Sequence, residues 1–425
     1  MYYKKEAYVD LKYKPSSKDL VAEYYVEPNR MDLRTVANHI AAESSIGTWT
    51  QISTMSPTIS KRLRPSVFYI NKKKNIIKVA YHAELFEKGN MPQILSSIAG
   101  NIYGMKAVKK LKLLDITFPK VLVKSFKGPK FGIQGVRKIL DVKRRPLVGT
   151  IVKPKVGLSA KKHAEVAFNS WMGGLDCVKD DENLSSQTFN KFKKRIELTE
   201  KARFKAEKIT GEKKVYMPNI TAETEEMLRR MKFVEKNHGN YVMIDILTLG
   251  FAAFQTVRNH SKLPIHCHRA MHAAFTRGNH GISMLTLAKI SRLLGGDTLH
   301  IGTAYVGKMS ESKKSTLDIE KEIEKRFVKE HGSILKQNWF GIKPVLAVAS
   351  GGLHPGHIPK LVKMMGNNIL IQAGGGVHFS PEGTIVGAKA MRQAVTATMR
   401  KIPLKKYAKT HSELEIAIKK FGVAK

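Results

Sequence analysis

In the first part of the chain, apolar and polar positions alternate over Ala7–Tyr13, Ser66–Ile70 and Ile76–Tyr81, and each run reads as a half-buried strand. Between them the period lengthens. Asp32 followed by Val36, Ile40 and Ala41 predicts a capped amphipathic helix. Strands and helices mixed without strict alternation predict a small α+β domain over residues 1–128. From about residue 145 the texture changes to continuous apolar runs, each followed by a helical stretch. The runs are LVGTIVK (147–153), LDCVKD (175–180), VYMPNI (215–220), YVMIDIL (241–247), LPIHCH (263–268), DTLHIG (297–302), PVLAVAS (344–350) and NILIQAGGG (368–376). Strands separated by helices imply right-handed βαβ units and a parallel sheet. Eight of them predict an α/β fold, a (β/α)8 TIM barrel over residues 129–425 with a C-terminal helical tail.

Composition narrows the class. With 425 residues, 42% of them apolar, the chain can bury large cores. No stretch approaches the ~18 uninterrupted apolar residues of a membrane span. The opening MYYKKEAYVDLKYK is strand-like and unlike a signal peptide. Two cysteines, Cys177 and Cys267, rule out a disulfide framework, which makes a reducing cytoplasm the expected compartment. Both lie in apolar runs and read as inert core residues. The net charge of +39 raises nucleic-acid binding. Yet only 18 of the 74 basic residues are Arg, they are scattered, and no zinc-finger or aromatic RNA-binding signature accompanies them. A solvated Lys-rich surface without a dedicated nucleic-acid site is the better reading.

The chemistry sits at the ends of the apolar runs. In a barrel the loops after the strands converge on one face and build the active site. Run one ends in Lys153-Pro154-Lys155, run two in Lys179-Asp180-Asp181-Glu182 and run three in Asn219. Run five ends in His266-Cys267-His268-Arg269, run six in His300, run seven in Ser350-Gly351-Gly352 and run eight in Gly374-Gly375-Gly376. Period two puts Lys179 and Asp181 on one side of their strand, with Glu182 where the strand gives way to loop. A surface ion-pair cluster would read the same way, but at the end of an apolar strand unpaired charge is costly. Hard oxygen ligands for Mg2+ account for the carboxylates better. A protonated Lys cannot ligate a cation, so Lys179 must be neutralised or modified; a carbamate formed with CO2 would make it a third carboxylate. The glycine-rich ends read as phosphate cradles or as tight turns, with Arg269 and His300 a second anion site. Two such sites suit an elongated bisphosphate. His266 and His268 read either as a transition-metal pair or as one acid/base beside one core hydrogen-bonder.

The motifs GTIVKPKVGLS, GGLDCVKDDENL, HCHRAMHAAFTR, GISMLTLAK, LHIGTAYVGK, ASGGLHPG and IQAGGG, with AAESSIGTWT at 41–50 and IAGNIYGMKA at 98–107, resemble the large chain of ribulose-1,5-bisphosphate carboxylase/oxygenase, RuBisCO. The resemblance covers nearly the whole chain and points to the archaeal type III or type II/III branch. It implies addition of CO2 or O2 to ribulose bisphosphate, giving two 3-phosphoglycerates on carboxylation, in AMP salvage. A RuBisCO-like enolase or isomerase is the alternative. Lys179 would be carbamylated by an activator CO2, would bind Mg2+ with Asp181 and Glu182, and would take the C3 proton. Lys153 and His268 would be acid/base groups, and Lys308 on the mobile sixth loop would stabilise the new carboxylate. Lys155 would contact the sugar. Arg269, His300, Ser350 and Gly351 would hold one phosphate; Gly352, Gln372, Ala373, Gly374 and Gly375 would lie at the other. Glu43, Thr48, Trp49 and Asn101 would complete a partner's site, so a homodimer or an assembly of dimers is implied, without a small subunit. The chain departs from the family pattern in three places, one of them a residue more between His300 and Lys308 than in the plant type. Ile151 replaces a threonine near the metal, and Lys308-Met309-Ser310-Glu311 replaces Lys-x-Glu-Gly.

Overall fold

Alternate residues Leu20, Ala22, Tyr24 and Val26 are fully buried along Asp19–Pro28 (β1), as a strand packed on a core requires. The computed structural model describes residues 7–48, 52–308 and 311–424. Strand β1 pairs antiparallel with Ile76–His82 (β3) and with Val108–Thr117 (β4), and Ser66–Asn71 (β2) extends the sheet beyond β3. Helix Leu33–Glu43 forms as its pattern demands: the Asp32 carboxylate accepts from the amides of Arg34 and Thr35, and Val36, Ile40 and Ala41 are buried. Ala7–Tyr13 is not a strand; it contributes one bridge, Val9 to Val67.

The chain divides into two compact units, and neither is continuous. The first holds residues 1–127, 271–293 and 325–342; the second holds the rest. The chain first passes between them after Lys127. Segment 271–293 returns to the first unit because it carries partners that unit needs. Gly281–Ile282 adds a parallel strand to β4, and Lys289 Nζ meets Asp115 Oδ1 at 2.6 Å with both side chains fully buried.

The second unit contains the eight-stranded parallel sheet. Strands Leu147–Ile151 (β5), Cys177–Lys179 (β6), Val215–Met217 (β7), Val242–Asp245 (β8) and Ile265–His268 (β9) are joined by Thr298–His300, Leu346–Ser350 and Ile369–Gln372. The order is β7, β6, β5, Ile369–Gln372, Leu346–Ser350, Thr298–His300, β9, β8. The Met243 amide donates to Pro218 O at 2.8 Å and Met243 O accepts from Ile220 at 3.0 Å, which links β7 to β8 and closes the ring. Leu147, Cys177, Met217, Met243, Val348 and Leu370 fill one buried cluster, so the barrel is a packed core and not a pore. All eight apolar runs are strands. Each strand is shorter than its run, losing residues to the flanking loops or, at Ile246 and Leu247, to a following helical turn. Burial raises both cysteine thiols well above their usual range and keeps them protonated. Among the described residues no helix is long and apolar enough to cross a membrane.

Candidate active site

The alternation of β6 sorts its charges. Asp180 points toward the helices, where it accepts from Arg195 Nε at 3.1 Å and from Tyr216 Oη at 2.6 Å, with His163 Nε2 at 3.1 Å. Burial opposes its ionisation, but Arg195 and His163 outweigh that and hold it far below the usual carboxylate range. This is a structural anchor. Lys179 and Asp181 turn the other way, and both are 1% exposed. Lys179 Nζ donates to Asp180 O at 2.7 Å and lies 3.7 Å from Glu182 Oε2. Burial lowers the Lys179 pKa, the neighbouring carboxylates notwithstanding. Burial would raise Glu182, yet Lys179 and then His268 bring it down to about 2.

Three lysines meet these two carboxylates. Lys153 Nζ reaches Asp181 Oδ2 at 2.7 Å and Lys155 Nζ lies 3.5 Å from Glu182 Oε1. Gly374 lets Lys153 pass, since a Cβ there would lie 2.9 Å from Lys153 Cε. Among the described residues no three His, Cys, Asp or Glu side chains gather as a ready metal site. Asp181 and Glu182 are hard oxygen donors of the kind that suit a divalent cation, and a complete donor set would need a further anionic oxygen.

His268, at the end of β9, has Nδ1 3.1 Å from Asp245 Oδ1 and Nε2 3.6 Å from Glu182 Oε2. Asp245 is in turn held by Asn219 Nδ2 at 3.2 Å. A carboxylate on one ring nitrogen orients the other for proton transfer. His266 spends Nδ1 on Thr298 Oγ1 at 2.7 Å and Nε2 on His300 Nε2 at 2.9 Å, so it is the core hydrogen-bonder of the pair. Asp245 is the functional residue that the motifs did not single out. Its signal was present: it is the one charged residue inside the fourth apolar run, YVMIDIL.

His300 Nδ1 and Ser350 Oγ are 2.6 Å apart, and burial pushes the His300 ring well below its usual pKa. Arg269 is nine-tenths buried, and its Nη2 donates to Glu311 Oε1 at 2.6 Å. Glu311 thus occupies the guanidinium that the motif reading reserves for a phosphate. On the other side of the mouth, a cavity of about 590 Å³ is lined by Lys308, Gly352, Gly374 and Gly375. The Lys308 amide donates to Gly351 O at 2.9 Å, and its side chain crosses Gly352, where φ is +69° and a Cβ would collide with it. Gln372 does not line this cavity; it is fully buried with Nε2 against Met217 Sδ, and Ala373 is buried beside it. In the first unit Asn101 Nδ2 approaches Glu43 Oε1 at 3.3 Å, and Thr48 follows the helix that carries Glu43. Trp49 lies outside the described residues.

Both parts of the chain are similar to known proteins. The family model "ribulose bisphosphate carboxylase large chain, catalytic domain" matches residues 132–421, and the model for that chain's N-terminal domain matches residues 7–122. The ribulose bisphosphate carboxylase of Methanosarcina mazei is 50% identical over 422 residues, covering 97% of this chain and 98% of its own. That of Methanocaldococcus jannaschii is also 50% identical over 422 residues, covering 97% and 99%. Among solved structures, the dimeric archaeal Rubisco from Hyperthermus butylicus superposes with a TM-score of 0.93 at 42% identity, over 99% of this chain and all of the other. The octameric enzyme from Pyrococcus horikoshii gives 0.91 at 43%, over 99% and 97%.

Proposed function

This chain belongs to the ribulose bisphosphate carboxylase large-chain family and is a carboxylase of ribulose bisphosphate; we propose that its catalysis rests on the cluster of Lys179, Asp181 and Glu182. The supporting observation is a lysine 1% exposed, with its pKa lowered by burial, set beside two carboxylates. A neutral amine attacks CO2 to form an N–C bond, loses a proton to solvent and becomes a carbamate. The resulting anionic oxygen, with Asp181 and Glu182, would hold Mg2+. That ion supplies Lewis-acid polarisation of the sugar's oxygens.

The remaining roles belong to the chain's own side chains. The Lys179 carbamate takes the C3 proton of ribulose bisphosphate, which yields an enediol. Lys153 delivers or removes a proton near C2 once its grip on Asp181 is released. His268, oriented by Asp245, handles a hydroxyl proton. Lys155 contacts the sugar. Arg269, His300, Ser350 and Gly351 hold one phosphate, and Gly352, Gly374 and Gly375 form the other side of the cradle, with Gln372 and Ala373 buried beside them. Lys308 meets the carboxylate created when CO2 adds; O2 competes for the same enediol. Glu43, Thr48, Trp49 and Asn101 complete a neighbouring subunit's site, so the working unit is a homodimer or an assembly of dimers. The branch resemblance supports a role in the salvage of nucleotide-derived ribulose bisphosphate, in the cytoplasm. The test is ribulose bisphosphate with labelled bicarbonate and Mg2+. Labelled 3-phosphoglycerate supports the reading, and substrate turned over into an unlabelled isomer overturns it.

A further inference from the structure

Carboxylation leaves the +39 charge unexplained, and a large cavity in the second unit lies away from the mouth. It has a volume of about 1100 Å³ and is lined by residues that precede β5, β6 and β7. Arg145, Asp176 and Lys213 stand one or two residues before those strands, at the end of the barrel opposite Lys179 and Ser350. Seven cationic side chains and three carboxylates surround it, an excess of four positive charges.

The floor is rigid. Asp176 is buried and takes both arms of Arg145, at 2.6 Å each, together with the Val148 amide at 2.9 Å. Buried Arg137 donates to Val142 O at 3.0 Å and Arg145 O at 3.1 Å, clamping the backbone on either side of Lys143 and Arg144. Those two side chains are left exposed. With Lys213 and Arg400, also exposed, they make no ion pair among the described residues.

One ordinary explanation is that the cations offset helix dipoles. Helices Gly132–Leu140, Phe192–Thr210 and Thr384–Met399 all end at this cavity. Each C-terminus is worth roughly half a negative charge, about −1.5 in all. An excess of four is not consumed by that, and about +2.5 remains. Like charges held together on a fixed floor raise the local anion concentration.

We propose that this cavity is a second, non-catalytic anion site that binds a small polyphosphate, either a bare inorganic chain or the triphosphate of a nucleotide. The volume admits such a molecule, and the remaining positive charge attracts its phosphates. The position explains why a charge excess accumulates on a face the reaction does not use.

The test is calorimetric titration of the full chain with inorganic triphosphate and, separately, with ATP. Both are run at about 0.15 M salt in Mg2+- and CO2-free buffer saturated with ribulose bisphosphate, so that the catalytic phosphate sites are filled. Saturable binding is expected, and Lys143→Glu, Arg144→Glu and Lys213→Glu combined should weaken it at least tenfold. The same charge change at exposed Lys72, Lys73 and Lys74 should weaken it less than twofold. Equal affinity for both probes assigns the bare polyphosphate, and a tenfold preference for ATP assigns the nucleotide; either supports the site. Absence of binding, equal loss in both triple variants, displacement by ribulose bisphosphate, or a tenfold preference for an RNA oligomer would each overturn it.

Discussion

Lys153 Nζ donates to Asp181 Oδ2 at 2.7 Å, across the ends of two neighbouring barrel strands. The ammonium therefore occupies a carboxylate that the proposed Mg2+ site needs. Lys153→Met removes the competing cation while leaving the stem's volume in place. Mg2+ should bind at least as tightly as before, while product formation falls on the order of 10²-fold or more for want of the proton donor. Calorimetric Mg2+ titration beside a steady-state assay checks both arms. Parallel loss of metal binding and turnover would show instead that Lys153 builds the metal site.

Activation should depend on pH with a definite sign. Only the neutral Lys179 amine attacks CO2, and burial lowers its pKa below that of an ordinary lysine. The neutral fraction is small below the lowered pKa and grows as pH rises through it. The rate of CO2 activation should therefore rise with pH and level off below the ~10.4 of a free lysine. Stopped assays after timed preincubation at each pH measure it. An activation rate that falls as pH rises would contradict a buried amine nucleophile.

Lys308 separates two steps. Its side chain lies over Gly352 at the phosphate cavity, away from Asp181 and Glu182 in the contacts it makes. Lys308→Ala should abolish carboxylation yet still exchange the C3 proton of ribulose bisphosphate with solvent. Tritium release into water follows the first step and labelled 3-phosphoglycerate the second. Equal loss of both signals would remove this division of roles.

Glu311 holds the buried Arg269 guanidinium at 2.6 Å, so a substrate phosphate must displace it. Glu311→Gln keeps the shape and removes the charge. KM for ribulose bisphosphate should fall about three- to tenfold, roughly 0.7–1.4 kcal/mol of relieved competition. A raised KM would make Glu311 a support for Arg269 and not a competitor.

Much of this organisation was readable from residue order, and the reasons differ by element. Parallel barrel strands are buried on both faces, so runs such as LVGTI and LAVAS stand out as unbroken apolar segments. Their polar ends then fall on one rim, which is why Lys153, Lys179, His268 and Ser350 could be grouped before any coordinates. Ala7–Tyr13 shows the opposite case. It alternates well but finds a single bridge partner, and strand pairing is set by neighbours that a local pattern does not encode. The return of 271–293 to the first unit rests on Lys289 meeting Asp115 across 174 positions, and a lysine inside a helix carries no sign of so distant a carboxylate. The pairing of Glu311 with Arg269 was hidden for the same reason. Each residue was readable only alone, Glu311 as a loop acid and Arg269 as a candidate anion-binding base, and only their contact shows that one occupies the other.

The most direct test of the carbamate site is the fate of the activating CO2. The protein is preincubated with labelled CO2 and Mg2+, then mixed with excess unlabelled CO2 and ribulose bisphosphate for a single turnover. The expected result is one label retained per chain, none in 3-phosphoglycerate, and none held by Lys179→Ala. Label passing into the product, or retained equally by Lys179→Ala, would contradict a non-substrate CO2 bound to Lys179.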